Sequence, residues 1–184
     1  MKNIITFVCA ALAAVLFVAC NKNNSGSDSP KQEDNTPVSY KYSFTVGVAD
    51  GATDHQTVLT TVVSAADEKG NVKEYALPDN QKSFTVANTV PLSSVPFSGE
   101  MVLKATLKSG VELTKDNYLV GLSYNVIVES YNAAGEMLNQ KKVDGESGKG
   151  SVKKEKMAIY SYAHKFVFTV DAHGAVTLNP KQEQ

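Results

Sequence analysis

Residues Tyr40-Lys41-Tyr42-Ser43-Phe44-Thr45-Val46-Gly47-Val48 alternate without a break between apolar side chains and polar or small ones. Successive side chains of a β-strand point to opposite faces, so this period of two describes a strand with one buried and one wet face. A helix would need its apolar residues three and four apart. The rest of the chain has the same texture. Residues 58–65 are rich in Val and Thr on both faces, which suits a more central strand. Residues 71–77, 83–90 and 100–108 follow, the last with Met101, Leu103, Ala105 and Leu107 on one side. Residues 119–131 place Leu122, Tyr124, Val126 and Val128 on one face, and residues 137–143 can return from them. Residues 157–170 and 175–178 complete the set. No body segment sustains helical periodicity with caps; residues 64–68 and 132–137 are expected to hold a helical turn at most.

The punctuation agrees. Asp67-Glu68-Lys69-Gly70, Asn132-Ala133-Ala134-Gly135 and Asp171-Ala172-His173-Gly174 share one pattern, Asp or Asn followed three residues later by Gly. The Asx side chain starts a turn by accepting from backbone ahead of it, and Gly supplies the positive φ that closes the hairpin with a bulge. Three such turns predict three antiparallel hairpins. Eight or nine short strands with turns every ten or so residues predict an all-β antiparallel sandwich, with a closed barrel of calycin type as the alternative. The hairpins at residues 62–75 and 124–137 resemble those of immunoglobulin-like or fibronectin-like bacterial sandwich domains, at the level of texture and without a Cys…Trp…Cys core.

The amino terminus carries a different message. Met1-Lys2-Asn3 is a short positive segment, and residues 4–18 are nearly all apolar. That is the pattern of a secretory signal, too short for a comfortable membrane span of ~20 residues. Its end, Phe17-Val18-Ala19-Cys20, resembles the lipobox of bacterial lipoproteins, with Phe17 where Leu is usual. The resemblance implies cleavage after residue 19, acylation of Cys20 and anchoring in the outer membrane. Two or three acyl chains at ~0.8 kcal/mol per buried CH₂ hold a protein stably on a bilayer. Residues 21–37 contain no aromatic or large aliphatic side chain and read as a flexible tether. Small lipoproteins of the Bacteroidetes type have this layout. In that group an acidic cluster after the Cys accompanies export to the cell surface, and Asn21-Lys22-Asn23-Asn24 has no acid. The domain plan is therefore a leader at 1–19, lipidated Cys20 and tether at 20–37, one sandwich at 38–180 and a disordered tail at 181–184.

Composition removes several classes of function. The chain has 184 residues and a formal net charge of −1, and all 18 basic residues are Lys. Nucleic-acid recognition would bring a basic excess and the bidentate guanidinium forks that only Arg supplies. With Cys9 in the leader and Cys20 acylated, no thiol is left for catalysis, metal binding or a disulfide scaffold. His55 sits beside Asp54 in an expected loop, His164 in a strand and His173 at a turn tip, so none nominates a metal or catalytic site. Asp50, Asp54, Asp67 and Asp79 offer oxygens, but not in the alternation that a Ca²⁺ loop needs. No Ser elbow, phosphate loop or zinc-binding helix motif occurs. No cofactor, metal or catalytic residue is expected.

Two surfaces are candidates for binding. Residues 141–156 hold six Lys against Asp144, Glu146 and Glu155 and read as a long mobile loop whose charges, Lys153 and Lys154 among them, can meet anionic groups. Tyr160, Tyr162 and His164 alternate along one expected strand, and with Tyr118 and Tyr131 offer rings that stack on a sugar or seed a protein contact. The sequence thus points to a non-enzymatic, lipid-anchored binding or adhesion module of the bacterial envelope, on the periplasmic or outer face. Its rivals are a periplasm-facing accessory subunit that adds strands to a larger assembly, and a barrel carrying a small apolar ligand.

Overall fold

The computed structural model describes residues 35–183, the last two through their backbone only. The leader, Cys20 and nearly all of the tether lie outside the described residues. The elements are β1 (Pro37–Val48), α1 (His55–Val58), β2 (Leu59–Ala66), β3 (Val72–Ala76), β4 (Ser83–Pro91), β5 (Phe97–Leu107), β6 (Asn117–Asn132), β7 (Met137–Lys153), α2 (Lys154–Met157), β8 (Ser161–Val170) and β9 (Val176–Glu183). They form two sheets, of order β4-β1-β6-β7 and β3-β2-β5-β8-β9. Every strand pair is antiparallel. Among the described residues no strand pair joins one sheet to the other, so the fold is a sandwich. The calycin-like barrel is set aside.

The alternating run of β1 lies in the middle of its sheet, paired on one side with β4 and on the other with β6. Tyr40, Tyr42, Phe44 and Val46 are all buried. They face Phe166 and Phe168 of β8. Phe44 meets Phe166 edge to face at 5.0 Å, and Tyr40 meets Phe168 at 4.9 Å. Rings of this size also require small residues on the neighbouring strand of their own sheet. Gly99 of β5 lies opposite Phe168 in register, and a Cβ there would fall 2.2 Å from the Phe168 ring.

The three Asx-Gly turns close the hairpins β2–β3, β6–β7 and β8–β9, as the sequence predicts. In each, the Asx oxygen accepts two backbone N–H groups: Asp67 from Lys69 and Asn71, Asn132 from Ala134 and Glu136, Asp171 from His173 and Ala175. The closing glycines have φ between 80° and 83°.

Four expectations need correction. Residues 141–153 are not a mobile loop but most of β7, because β6 runs 16 residues and keeps its ladder only if β7 follows it to Lys153. Tyr160 precedes β8 rather than lying in it, and residues 154–157 form the helical turn α2. The helical turns fall at α1 and α2, not at residues 64–68 or 132–137. Residues 181–183 are not a tail, since β9 pairs as far as Ala163↔Glu183.

Gly99→Ala is expected to force the Phe168 ring off its site and to cost about 2 kcal/mol, in the range for an overfilled core. Chemical denaturation of the two proteins measures it; equal stability would show that the ring yields freely.

Candidate functional site

The two ends of the sandwich are built differently. One end carries Pro37 and the three tight hairpins, since Pro37 pairs with Asn132, Ala66 with Val72 and Val170 with Val176. The other end carries longer connections. Val48 lies opposite Leu122, Asn117 opposite Lys153, Leu59 opposite Leu107 and Thr106 opposite Ser161. Residues 49–58, 77–82, 108–116 and 154–160 therefore gather there. Binding residues belong on such connections, where a rigid scaffold presents side chains whose backbone it does not need for its own ladder.

Side chains brace these connections against each other. The Lys108 ammonium donates to the Gln56 carbonyl at 2.7 Å and to Asp79 at 2.6 Å, tying three of them together. Asp54 is buried; it accepts from Lys115 at 2.5 Å and from the Leu119 N–H at 2.9 Å. Those two donors hold its carboxyl below the usual carboxylate range. Next to it His55, predicted in a loop, starts α1 and is buried. The Gly121 N–H donates to its Nδ1 at 3.1 Å, so Nε2 carries the ring proton and donates to Thr61 Oγ1 at 2.8 Å. Adjacent Asp54 and His55 thus lock the β1–β2 connection onto β6. The sequence reading missed this role; the one available signal was an Asp-His pair flanked by β-formers.

Of the four residues nominated from sequence, the structure separates two from two. Lys153 and Lys154 line an open groove of about 630 Å³. Glu155 and Ala158 lie beside them, and Leu113, Asp116 and Asn117 come from the neighbouring connection and the start of β6. The Lys154 N–H donates to the Asp116 carbonyl at 2.9 Å, which fixes the two sides relative to one another. Two ammonium groups, two carboxylates, one amide and two apolar side chains suit a ligand of mixed polarity rather than one of a single sign. Ile159, next to the groove, is 84% exposed.

Tyr160 and Tyr162 do not line that groove. Both rings pack against the core. Tyr118 is buried as well, so the rings nominated as stacking platforms are in large part structural. The Tyr162 hydroxyl shares hydrogen bonds with Ser147 Oγ and with His164 Nδ1, and Ser147 Oγ lies 2.7 Å from that same nitrogen. The distance suits a nucleophile and its base, but Ser147 is 6% and His164 8% exposed, so Oγ is not presented to a substrate. His164 stacks on Phe166 at 4.6 Å, and its Nε2 is buried without a partner. Burial lowers its pKa, which favours the neutral ring. His173 lies in the β8–β9 turn, and no cluster of three metal-ligating side chains occurs among the described residues.

Comparison with family models, with curated proteins and with solved structures finds no match to this chain.

Burial pushes the His55 pKa down from 6.5 to about 4. The folded state therefore binds this proton less readily than the unfolded state. Its stabilising share is complete above about pH 6.5 and is lost as pH falls towards 4, roughly 3 kcal/mol for a shift of that size. Unfolding free energies of wild type and His55→Gln, measured across that window, are expected to converge at the acid end. A difference that stays constant with pH would show that His55 does not titrate with folding.

Proposed function

We propose that this chain is a non-enzymatic binding module of the bacterial envelope, anchored by an acylated Cys20, that presents the loop-bearing end of its sandwich to a protein or glycan. The observation that carries the reading is the division of labour between the two ends. The chain enters the body at Pro37, on the end closed by tight hairpins. The groove of Lys153 and Lys154 opens at the other end, along a β6 of 16 residues that spans roughly 50 Å at strand rise. Residues 21–36 between Cys20 and Pro37 reach at most roughly 55 Å when extended. A body tethered through its hairpin end leaves the opposite end, with its groove, free for a partner to approach.

The anchor and the exposure have separate tests. In detergent-phase partitioning the wild type is expected in the detergent phase and Cys20→Ser in the aqueous phase; an aqueous wild type would remove the anchor. For exposure, an epitope belongs at Gly110, a turn with φ 73° where nothing lies within 4 Å of an added Cβ. Gly148 is unsuitable, because it sits inside β7 against Tyr160 and Tyr162. Loss of the epitope on protease treatment of intact cells is the expected result. Protection until lysis would sink outward display and leave a periplasmic module.

A further inference from the structure

A sandwich of two open sheets has four edge strands, and each is a template for a foreign strand unless something guards it. Here the edges are β7 and β4 in one sheet, β3 and β9 in the other. Three are guarded. β7 carries Lys141, Lys142, Asp144, Glu146, Lys149 and Lys153. β3 is five residues long with Lys73 and Glu74. β9 contains Pro180 and Lys181.

β4 has no such guard. Its nine residues, Ser-Phe-Thr-Val-Ala-Asn-Thr-Val-Pro, include no charge, and the only proline is the last residue. The Val48 N–H donates to the Lys82 carbonyl and the Leu92 N–H to the Val38 carbonyl, so the even-numbered residues of this segment turn their backbone groups towards β1. Backbone polarity alternates along a strand. Ser83, Thr85, Ala87 and Thr89 therefore turn N–H and C=O outward to the open edge. Beside that edge lies a groove of about 430 Å³ lined by Tyr75, Pro78, Phe84 and Val86 among others. The feature is a row of four residues, Ser83, Thr85, Ala87 and Thr89, whose backbone groups have no strand partner among the described residues, next to a mainly apolar trough.

We propose that the β4 edge is a docking site for an extended segment of a partner protein. The segment adds antiparallel or parallel to β4, carries apolar side chains at alternate positions towards the trough, and has no charge where it meets β4. Charge matching selects this occupant, because a charged strand would lie against an edge and a trough that offer no counter-charge. A second copy is disfavoured under the reading above: antiparallel pairing of two β4 strands would point the two loop-bearing ends in opposite directions.

The test uses the whole folded body and a fluorescein-labelled peptide of four Thr-Val repeats with two lysines at each end. Ala87→Pro deletes one outward N–H without touching the β1 ladder, since proline is tolerated where an edge N–H faces solvent. Ala87→Lys places a guard charge at the same point. Binding by fluorescence anisotropy is expected for wild type, weaker by at least about tenfold for both variants, with denaturation midpoints unchanged. Lys153→Glu is expected to leave the peptide affinity as it is, which separates this surface from the distal groove. No binding by wild type, or equal binding by all variants, would overturn the proposal. So would a wild-type dimer in sedimentation that Ala87→Lys dissociates, which would give the edge to a second copy.

Discussion

The contact of Phe44 with Phe166 ties the two sheets together, and much of the structure is arranged around it. It joins the central strand of one sheet to β8 of the other, so both sheets are placed by the same pair of rings. Aromatic pairs add roughly 0.5–1.5 kcal/mol beyond the burial of their area. Burial itself is the larger share: Tyr40, Tyr42, Phe44, Phe166 and Phe168 are all at most 2% exposed. Rings of this size lie over the neighbouring strand of their own sheet and leave no room for a side chain there, and that is why Gly99 pairs with Phe168 and Gly145 with Tyr124. The glycines are consequences of the rings rather than of turns.

With the sheets fixed in this way, the ends are free to differ. A turn that supplies its own two N–H acceptors through one Asx oxygen needs no help from neighbouring loops. It also offers little surface. The hairpin end is therefore self-sufficient and plain. At the opposite end no connection is self-sufficient: Asp54, Lys108 and Lys115 reach across to satisfy groups on other segments. Such cross-bracing costs side-chain entropy, but it holds Leu113, Asp116 and Asn117 at a fixed distance from Lys153 and Lys154. A groove with fixed sides loses less ordering entropy on binding than one made of free loops.

The strands were legible because their signal is local. Period two and the Asx-Gly turns depend on neighbours in sequence, and seven of the nine strands overlap a run read from sequence over most of their length, β7 and β9 running on past theirs. Partnerships are not local. That Asp54 would meet Lys115, or His55 the N–H of Gly121, is decided by segments more than sixty residues apart. The same limit explains the tyrosines. Parity placed Tyr162 and His164 on one face, but only the packing of β7 against β8 shows that this face is interior and that their polar atoms turn to Ser147. The charge run at 141–156 misled for a further reason: on an edge strand with one wet face, Lys and Gly are tolerated, so composition resembles that of a loop.

The deepest cause of that misreading also places the site. Along β6, Tyr118, Val120, Leu122, Val126 and Val128 are buried on one parity throughout. Along β7 the parity changes. Ser147 pairs with Leu122 and is buried, yet Val120 pairs with Gly150 and Tyr118 with Val152. Gly121 thus faces two residues, Gly148 and Lys149, and Gly148 takes up the bulge with φ 59°. A Cβ on Gly121 would come within 2.9 Å of the Lys149 Cα, so glycine is required on the facing strand as well. One extra residue flips every side chain beyond it to the other face. Before the bulge, odd-numbered residues of β7 point inward; beyond it they point out. Were the same residues paired without a bulge, Lys153 would share the parity of Ser147 and face the core, at the cost of burying an unpaired ammonium. The bulge that breaks the alternation, and so hides the strand from a reading by period, is what delivers Lys153 to the groove.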